Sequence, residues 1–295
     1  MQQCLHSRGR EAAFVSWLGV IILAVVFGAA EIFPVSGSGH LYLLNQMLGF
    51  GLTAANLAAF RAALFAGIAI ALVIFYRRQL GQMLLHLLAG LIRMQTKRRS
   101  RSMSLPGRQL LMLTVASLPM LAALLLNRLR LAIEHSTAVL AIVGAFLLLS
   151  GILLFFSART AREAKRPRDL TIGDALVMGL AQVLSVFPGL SRVGILLSAG
   201  FIRGLDYGTA LEQAGLMGVP VYFVAAIHQR AAAGRLGAVT VTTEQLLIGT
   251  ALSTVIGLVT LNLLSERTAR GKATGFAYWC WGAALLAEIV FLAAA

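Results

Sequence analysis

The sequence predicts an all-α polytopic membrane protein built from two related halves. Of its 295 residues, 59% are hydrophobic and 12% are charged, and the mean hydropathy is +0.84. Soluble domains usually carry about 25% charged residues, so this chain has too few charges to cover a water-facing surface. Its apolar residues also gather in runs close to the roughly 20 residues that cross about 30 Å of hydrocarbon.

Six of these runs are long enough to be predicted as full spans. They cover residues 56–76, 109–127, 136–157, 208–228, 245–265 and 276–294. Two further runs, 12–30 and 171–187, are interrupted by segments rich in Pro, Gly and Ser, and each is followed by a short apolar piece (41–50 and 195–204). This pattern predicts two re-entrant hairpins, 12–50 and 171–204. Irregular backbone at membrane depth is tolerated only where protein buries it or where it lines a wet cavity.

The two interrupted segments resemble each other. Gly28-Ala-Ala-Glu31-Ile-Phe-Pro34 aligns with Gln182-Val-Leu-Ser185-Val-Phe-Pro188. Each hairpin is followed by three spans, and an odd number of spans predicts that the second half is inverted relative to the first. We therefore assign a first repeat to 1–135, which the span 136–157 completes, and a second to 158–295. Inverted repeats place their site near the midplane, where broken helices meet.

The net charge of +14 favours a membrane surface over nucleic acid, because the basic residues lie between the apolar runs. Lys and Arg beside spans set topology and attract anionic headgroups. If residues 77–108 are cytoplasmic, 16 of these cations lie on that side and 6 on the other. The basic cluster 97–101 is interpreted as a topology signal. Cys4 and Cys280 match no metal or redox spacing.

Ionisable residues in the two breaks are candidates for a functional site, because such groups are costly within lipid. Where the hairpins meet, a carboxylate, an imidazole and a guanidinium would share a pocket with hydroxyls and with glycines that permit close backbone approach. These residues are Glu31, His40, Arg192, Ser36, Ser38, Ser191, Gly39, Gly189 and Gly194. A guanidinium matches phosphate with two parallel hydrogen bonds, and a helix start near Leu190 would add free N–H groups. The set predicts a phosphate or diphosphate site.

Each candidate also has a purely structural interpretation. Glu31 and Arg192 would neutralise each other and fix the two hairpins together. His40 would be a satisfied histidine at the membrane interface. Ser36 and Ser38 would cap the following short helix, as serine often does. Arg61, near the outer end of its span, would either extend to the interface or line the pocket.

Two long motifs carry a family resemblance. They read Phe27-Gly28-Ala-Ala-Glu31-Ile-Phe-Pro34-Val35-Ser36-Gly37-Ser38-Gly39-His40 and Pro188-Gly189-Leu190-Ser191-Arg192-Val193-Gly194-Ile195-Leu196. Nearly the whole chain resembles the bacterial undecaprenyl-pyrophosphate phosphatases of the bacitracin-resistance type. The family's motifs read roughly Glu-Gly-x-x-Glu-Phe-x-Pro-Val-Ser-Ser-x-Gly-His and Pro-Gly-x-Ser-Arg-Ser-Gly-Ala-Thr.

The resemblance implies hydrolysis of the C55 lipid diphosphate to the monophosphate at the outer face of the cytoplasmic membrane, which recycles the carrier for cell-wall synthesis. The implied partners are this polyprenyl diphosphate and membrane lipids, and the implied cofactor is a divalent cation, Mg²⁺ or Ca²⁺. We assign catalytic roles to Glu31, His40, Ser36, Ser38 and Arg192, and phosphate binding to Ser191, Gly189, Gly194 and Arg61. Glu31 is also the candidate metal ligand.

Several motif positions depart from the family pattern. Phe27 replaces a glutamate, Gly37 a serine, and Val193 and Leu196 replace Ser and Thr; Arg61 and Phe65 stand where the family has Glu and Gln, and Trp279-Cys280 where it has Tyr-Arg. A hard cation wants several oxygen ligands, so loss of a carboxylate weakens a metal site and reduced or altered activity is expected. A transporter or flippase of a lipid phosphate and a non-catalytic lipid binder are the alternative functions.

Overall fold

The computed structural model describes residues 16–50, 52–95, 104–160, 165–264 and 273–294, and the regular elements in these ranges are helices. The first half contains α1 (Trp17–Ile32), α2 (Gly37–Met47), α3 (Ala54–Phe75), α4 (Arg77–Gln95), α5 (Leu105–Ser117), a 3₁₀ segment (Leu118–Leu124), α6 (Asn127–Glu134) and α7 (Val139–Thr160). The second contains α8 (Ile172–Val183), a 3₁₀ turn (Leu184–Val186), α9 (Arg192–Ile202), α10 (Tyr207–Leu236), α11 (Thr243–Leu264) and α12 (Ala273–Ala294). Cys4 and the cluster 97–101 lie outside the described residues.

Five of the six predicted spans are confirmed as helices long and apolar enough to cross a membrane: α3, α7, α10, α11 and α12. The predicted boundaries agree with the helices to within a few residues, except at the end of α10. This helix continues to Leu236 and has 30 residues, which corresponds to about 45 Å. It is therefore longer than the hydrocarbon core that it crosses.

The sixth predicted span, 109–127, falls on a bent pair of helices, which makes a sixth candidate span if the pair is counted as one. The α-helix ends at Ser117, a 3₁₀ segment follows, and the path bends by 60° before α6. Pro119 accounts for the break, because proline has no N–H to donate and its ring crowds the preceding turn of an α-helix. Hydropathy records the apolar length of such a segment and not its bend.

Residues 77–108, in which no helix is predicted from the sequence, contain the helix α4. Its apolar residues are interleaved with polar ones, so they form no continuous run. Leu84, Leu85, Leu87 and Leu88 are all exposed, and the helix begins at exposed arginines. An exposed apolar face beside basic residues is typical of a helix that lies along a membrane surface.

Both predicted hairpins consist of a helix, a short break and an 11-residue helix, α2 or α9. Eleven residues span about 16 Å, roughly half of a bilayer core. α1 ends before Pro34, as expected because the residue before a proline disfavours helical geometry. The Ser36 side chain then caps α2 by accepting a hydrogen bond from the Gly39 N–H (3.2 Å). Ser191 caps α9 in the same way through Gly194 (3.1 Å).

The two breaks meet in the interior of the protein. A Cβ atom placed on Gly39 would lie 3.1 Å from the Cα atom of Gly189, and one on Gly194 would lie 3.2 Å from the Pro34 carbonyl oxygen. Gly189 also has a φ of +98° and faces the Val143 carbonyl, 2.6 Å from where its Cβ would stand. Backbone therefore packs directly on backbone, and only glycine leaves the room for this.

Helices from the two halves of the chain pack into one body. The most extensive contacts join α3 to α10 and α11, and α7 to α12. Hydroxyls on α11 donate to carbonyls of α3, from Thr250 to Ala63 and from Thr254 to Gly67, both at 3.1 Å. Because lipid supplies no hydrophobic drive between helices, such bonds and close packing of small residues hold membrane helices together.

An ionic cluster closes the base of the second hairpin, outside the five candidate spans. Lys165 Nζ and Arg203 Nε donate to Asp174 Oδ1 at 2.9 and 2.7 Å, and the Thr171 N–H and hydroxyl donate to Oδ2. Burial of Asp174 favours its neutral form, but the hydrogen bonds from Lys165, Thr171 and Arg203 outweigh it and lower its pKa to about 2. The carboxylate thereby joins the start of α8 to the end of α9.

We predict that Gly189→Ala destabilises the protein more than Gly204→Ala. Both glycines have positive φ, but only Gly189 faces backbone atoms within 4 Å of an added Cβ. Gly204→Ala therefore introduces backbone strain alone, of order 1–3 kcal/mol. Gly189→Ala introduces a steric clash in addition to this strain. Thermal unfolding in detergent measures the difference, and equal losses would contradict the proposed contact between the breaks.

Asp174→Asn should lower the thermal stability of the protein at neutral pH. It should also reduce the loss of stability that the protein shows as the pH falls. A lowered pKa means that ionised Asp174 stabilises the fold above its ordinary pKa of 3.8, and that this contribution is lost as the pH falls toward about 2. The apparent Tm between pH 7 and pH 2 provides the measurement. The exposed Asp169 serves as the control: an Asp169→Asn profile as flat as that of Asp174→Asn would rule out the cluster as the cause.

Candidate active site

The two breaks, α3 and α10 enclose a cavity of about 360 Å³. We call it the main cavity. Its polar lining includes Glu31, Ser38, Arg61, Arg192 and Tyr222. Most of the remaining lining is apolar and includes Phe65, Met120, Leu121, Val186, Val221 and Val224. A mostly apolar cavity with a few convergent polar groups is the usual form of a small-molecule site.

Glu31 lies on the wall of the main cavity and is held by a tyrosine. The Tyr222 hydroxyl donates to Glu31 Oε1 at 2.9 Å. Glu31 Oε2 lies against the start of α2, only 2.5 Å from where a Cβ on Gly37 would stand. Within the described residues Glu31 forms no ion pair, so the direct pair with Arg192 considered from sequence is not present.

Arg192 is buried and held by neutral oxygen atoms. Its Nε and Nη2 donate to Gln182 Oε1 at 3.1 and 2.8 Å, and Nη2 also donates to the Ala214 carbonyl at 2.8 Å. The guanidinium carbon lies 5.0 Å from the centre of the Tyr222 ring, within range of a cation–π attraction. Neutral acceptors fix the geometry of this cation without cancelling its charge, which leaves it suited to bind an anion.

The three candidate serines have different surroundings. Ser36 and Ser191 are buried and cap the two short helices. Ser36 is also the one non-glycine residue of the described chain with a positive φ, +70°, a strained conformation that clusters at functional sites. Ser38 caps no helix, lines the main cavity, and its Oγ lies 3.4 Å from that of Ser36. Of the three hydroxyls, only that of Ser38 faces the cavity.

Both nitrogen atoms of His40 are engaged within the protein. Nδ1 lies 2.8 Å from the Ser36 carbonyl, which can only accept, so Nδ1 carries the proton. Nε2 accepts from the indole N–H of Trp279 at 2.9 Å, and indole is a donor only. His40 is therefore neutral with no free lone pair in this structure, which favours the satisfied histidine considered from sequence. The neighbouring Cys280 contacts the same break, 3.5 Å from the Pro34 carbonyl.

Arg61 is enclosed by protein and does not extend to the interface. It is 5% exposed, and its Nη1 donates to Glu134 Oε1 at 2.8 Å and to the Tyr42 hydroxyl at 3.4 Å. Arg130 Nη1 donates to the other oxygen of Glu134 at 2.6 Å. One carboxylate therefore bridges two buried guanidiniums.

Sequence reasoning missed Glu134, Tyr222, Gln182 and Trp279 as contributors to the site. Glu134 had a usable signal, since it is the only acidic residue between Glu31 and Glu163 and a cation within a span needs a counter-charge. Gln182 lies in the second interrupted segment, ten residues from Arg192, whereas Tyr222 and Trp279 had no signal, because they lie on helices that meet the breaks only in the folded protein.

The residues around Glu31 do not fit a protein-held divalent cation. No group of three or more His, Cys, Asp or Glu side chains in the described ranges is placed to hold a metal ion. Phe27, which replaces a glutamate of the resembled motif, packs edge-on against Phe65 with ring centres 5.3 Å apart. Among the described residues Glu31 is the one carboxylate that lines the main cavity. Ca²⁺ takes six to eight oxygens, and even Mg²⁺, which one or two carboxylates can hold, then relies on waters and substrate phosphates for its other ligands.

We predict that Gln182→Met costs roughly 1.5–3 kcal/mol of stability, because it removes the acceptor from two N–H groups of a buried cation. Gln213→Met provides the matched control. Gln213 is also buried, but its amide nitrogen has no hydrogen-bond partner among the described residues. Thermal unfolding of both variants measures the difference, and a cost for Gln182→Met no larger than that of the control would contradict the role of Gln182 in holding Arg192.

Known proteins resemble this chain over most of its length. The family model described as bacitracin resistance protein BacA matches residues 20–286. An undecaprenyl-diphosphatase of Acidothermus cellulolyticus is 28% identical over 264 residues, which are 89% of this chain and 92% of that protein. An undecaprenyl-diphosphatase of Cutibacterium acnes is 28% identical over 90% of this chain and 93% of its own, and undecaprenyl-diphosphatase 1 of Burkholderia pseudomallei is 33% identical over 70% and 73%. The chain is a multi-pass membrane protein that belongs to the bacitracin resistance protein BacA family.

Proposed function

We propose that this protein hydrolyses undecaprenyl diphosphate to undecaprenyl phosphate and inorganic phosphate, and so recycles the lipid carrier of cell-wall synthesis. Family membership and the name shared by its relatives support this substrate. The observation that carries the proposal is the main cavity, where the two motif breaks bring Glu31, Ser38 and Arg192 together. In phosphoryl transfer a carboxylate can act as base, a hydroxyl as nucleophile and a guanidinium as the group that neutralises the phosphate charge.

Arg192 supplies positive charge for the diphosphate. Phosphoryl transfer depends mainly on positioning and on neutralising the charge of the equatorial oxygens, and a guanidinium matches these oxygens bidentately. Arg192 is also the first residue of α9, where unpaired backbone N–H groups add partial positive charge. Its hydrogen bonds to Gln182 and Ala214 hold it in place before the substrate arrives.

Ser38 is the nucleophile in this proposal. Its Oγ bonds to the terminal phosphorus, and the bond from phosphorus to the bridging oxygen breaks. Glu31 accepts the serine proton and passes it to the departing undecaprenyl phosphate. Glu31 then takes a proton from an attacking water, which cleaves the serine phosphate and releases inorganic phosphate, and it returns this proton to Ser38.

Five other candidates position these groups in this proposal and do not react. Ser36 and Ser191 hold the starts of the short helices, while Gly189 and Gly194 allow the breaks to approach. His40 joins the first break to α12 through Trp279. It would become a base only if that hydrogen bond opened, so we assign proton transfer to Glu31 instead.

The apolar walls suit the prenyl part of the substrate. A volume of about 360 Å³ lies at the lower end of the range for drug-sized ligands, roughly 300–1,000 Å³. It accommodates the diphosphate and the nearest part of the chain, while the rest of a C55 chain extends into the lipid. The substrate would thus keep its tail in the membrane during the reaction.

We further propose that the halves are inverted repeats in the bacterial cytoplasmic membrane, with the site toward the outer face. The repeated order of hairpin and three membrane-crossing segments supports the inversion. The excess of Lys and Arg in segments assigned to the cytoplasm supports the orientation.

The proposal predicts phosphate release from undecaprenyl diphosphate by purified protein in detergent. Arg192→Ala should lower the rate roughly 10²–10³-fold, as removal of a transition-state donor does elsewhere, and Ser38→Ala should lower it at least as much. Ser198→Ala is the matched control, since its buried hydroxyl donates to the Gly194 carbonyl and does not line the main cavity.

Release that persists unchanged in Ser38→Ala would exclude Ser38 as the nucleophile. No release above the Arg192→Ala background, with lipid still bound, would contradict the phosphatase. Lipid movement across reconstituted vesicles would then be the next measurement, because the transporter alternative needs binding without hydrolysis.

A further inference from the structure

A second cavity, of about 220 Å³, lies next to the main cavity. We call it the polar cavity. Arg61, Arg130 and Gln229 line both cavities, whereas Glu134 lines only the polar one. The two arginines thus form a wall between the cavities, and their shared counter-charge lies on the far side from Glu31 and Ser38.

The charge in this wall is not balanced by Glu134 alone. One carboxylate accepts from Arg61 and Arg130, at 2.8 and 2.6 Å, so two guanidiniums share one negative charge. Arg61 is 5% exposed, and its Nε has no hydrogen-bond partner among the described residues. A buried donor without a partner is costly, and in native proteins such a group calls for an explanation such as strain, a catalytic role, a water or an ion.

Stacked aromatic rings connect Arg61 to Arg192. The Arg61 guanidinium carbon lies 5.9 Å from the centre of the Phe65 ring. Phe65 stacks on Tyr222 at 5.7 Å, and Arg192 lies 5.0 Å from the Tyr222 ring. Aromatic faces attract cations, so the stack holds both guanidiniums at the main cavity without neutralising them.

The same aromatic group occupies the place where further carboxylates would be needed for a cation. Phe27 packs on Phe65 and is 1% exposed, so that Glu31 is the one acidic side chain of the main cavity among the residues that the structure describes. Two guanidiniums beside this carboxylate disfavour a divalent cation, because like charges repel strongly where the dielectric is low. The cavity is better suited to bind an anion directly.

We propose that Arg61 and Arg192 together bind the diphosphate of the substrate without a divalent cation held by the protein. In this proposal Glu134 partly compensates the positive charge of Arg61 and so weakens its attraction for the diphosphate. This inference rests on the proposed substrate. The diphosphate binds the part of Arg61 that lines the main cavity and shares its charge with Glu134. Arg61 is then a binding residue in direct contact with the substrate, and Glu134 is a positioning residue that acts through it.

The test is the affinity of purified protein for a non-hydrolysable prenyl methylenediphosphonate, measured in chelator and again with Mg²⁺ or Ca²⁺. The dissociation constant should be the same in all three conditions. Arg61→Gln should weaken binding about ten- to a hundredfold, the value of a charge-assisted hydrogen bond. Glu134→Gln should tighten it severalfold, because it leaves Arg61 with a neutral partner.

Opposite effects of the two variants separate binding from folding, since both break the same ion pair and a merely structural pair would give losses in both. Arg128→Gln is the control, because Arg128 lies on the same helix as Arg130 but is exposed. Its affinity should equal that of the unmodified protein. Binding that requires Mg²⁺ or Ca²⁺, an unchanged affinity in Arg61→Gln, or no binding in any condition would overturn the inference.

Phosphate release measured in parallel distinguishes this inference from the proposed function. Release and diphosphonate binding that both appear only with a divalent cation would uphold the phosphatase and overturn the cation-free site. Cation-independent binding of the diphosphonate, with no release of phosphate in any condition, would uphold the site and contradict the phosphatase.

Discussion

The close approach of the two breaks is the constraint on which the site depends. Gly39 and Gly189 meet backbone to backbone, so side chains far apart in sequence converge on one cavity. Neither short helix crosses the membrane alone, and the irregular backbone between the helices needs protein around it to satisfy its polar groups. Each hairpin provides that environment for the other. A larger residue at the contact would separate Glu31 and Ser38 from Arg192.

Burial of charge explains the arrangement around the cavity. Three arginines and two glutamates are enclosed by apolar helices, where an uncompensated charge is expensive. The protein compensates them in different ways: Glu134 is shared by two guanidiniums, while Arg192 is held by neutral oxygens and an aromatic ring. Cations that are fixed but not neutralised are the feature expected of an anion site.

Features of the fold that depend on the length of apolar runs were predicted well from the sequence. Features that depend on the local geometry of the backbone were predicted poorly. Five spans and both breaks followed from hydropathy and from Pro and Gly positions. The bend after Ser117 and the helix α4 did not, because a proline within an apolar run and a helix with interleaved polar residues both escape a search for continuous runs.

The candidate residues were predicted better than their roles. Glu31, Ser38, Arg61 and Arg192 were all named from the sequence, and all four line the main cavity. Motif spacing does not reveal which side chains already form hydrogen bonds within the protein. The Trp279 indole donates to His40, and Gln182 accepts from Arg192. Trp279 is 239 residues from His40 along the chain, beyond the reach of local pattern, whereas Gln182 is only ten residues from Arg192 and lies in the same hairpin.

A structure of the protein with a non-hydrolysable undecaprenyl diphosphonate bound would show whether the two breaks form the diphosphate site. We expect the two phosphonate groups in the main cavity between the breaks, within hydrogen-bond distance of the guanidinium of Arg192, with the terminal phosphorus facing Ser38. A headgroup bound elsewhere, such as beside the basic residues that flank α4, would contradict this expectation.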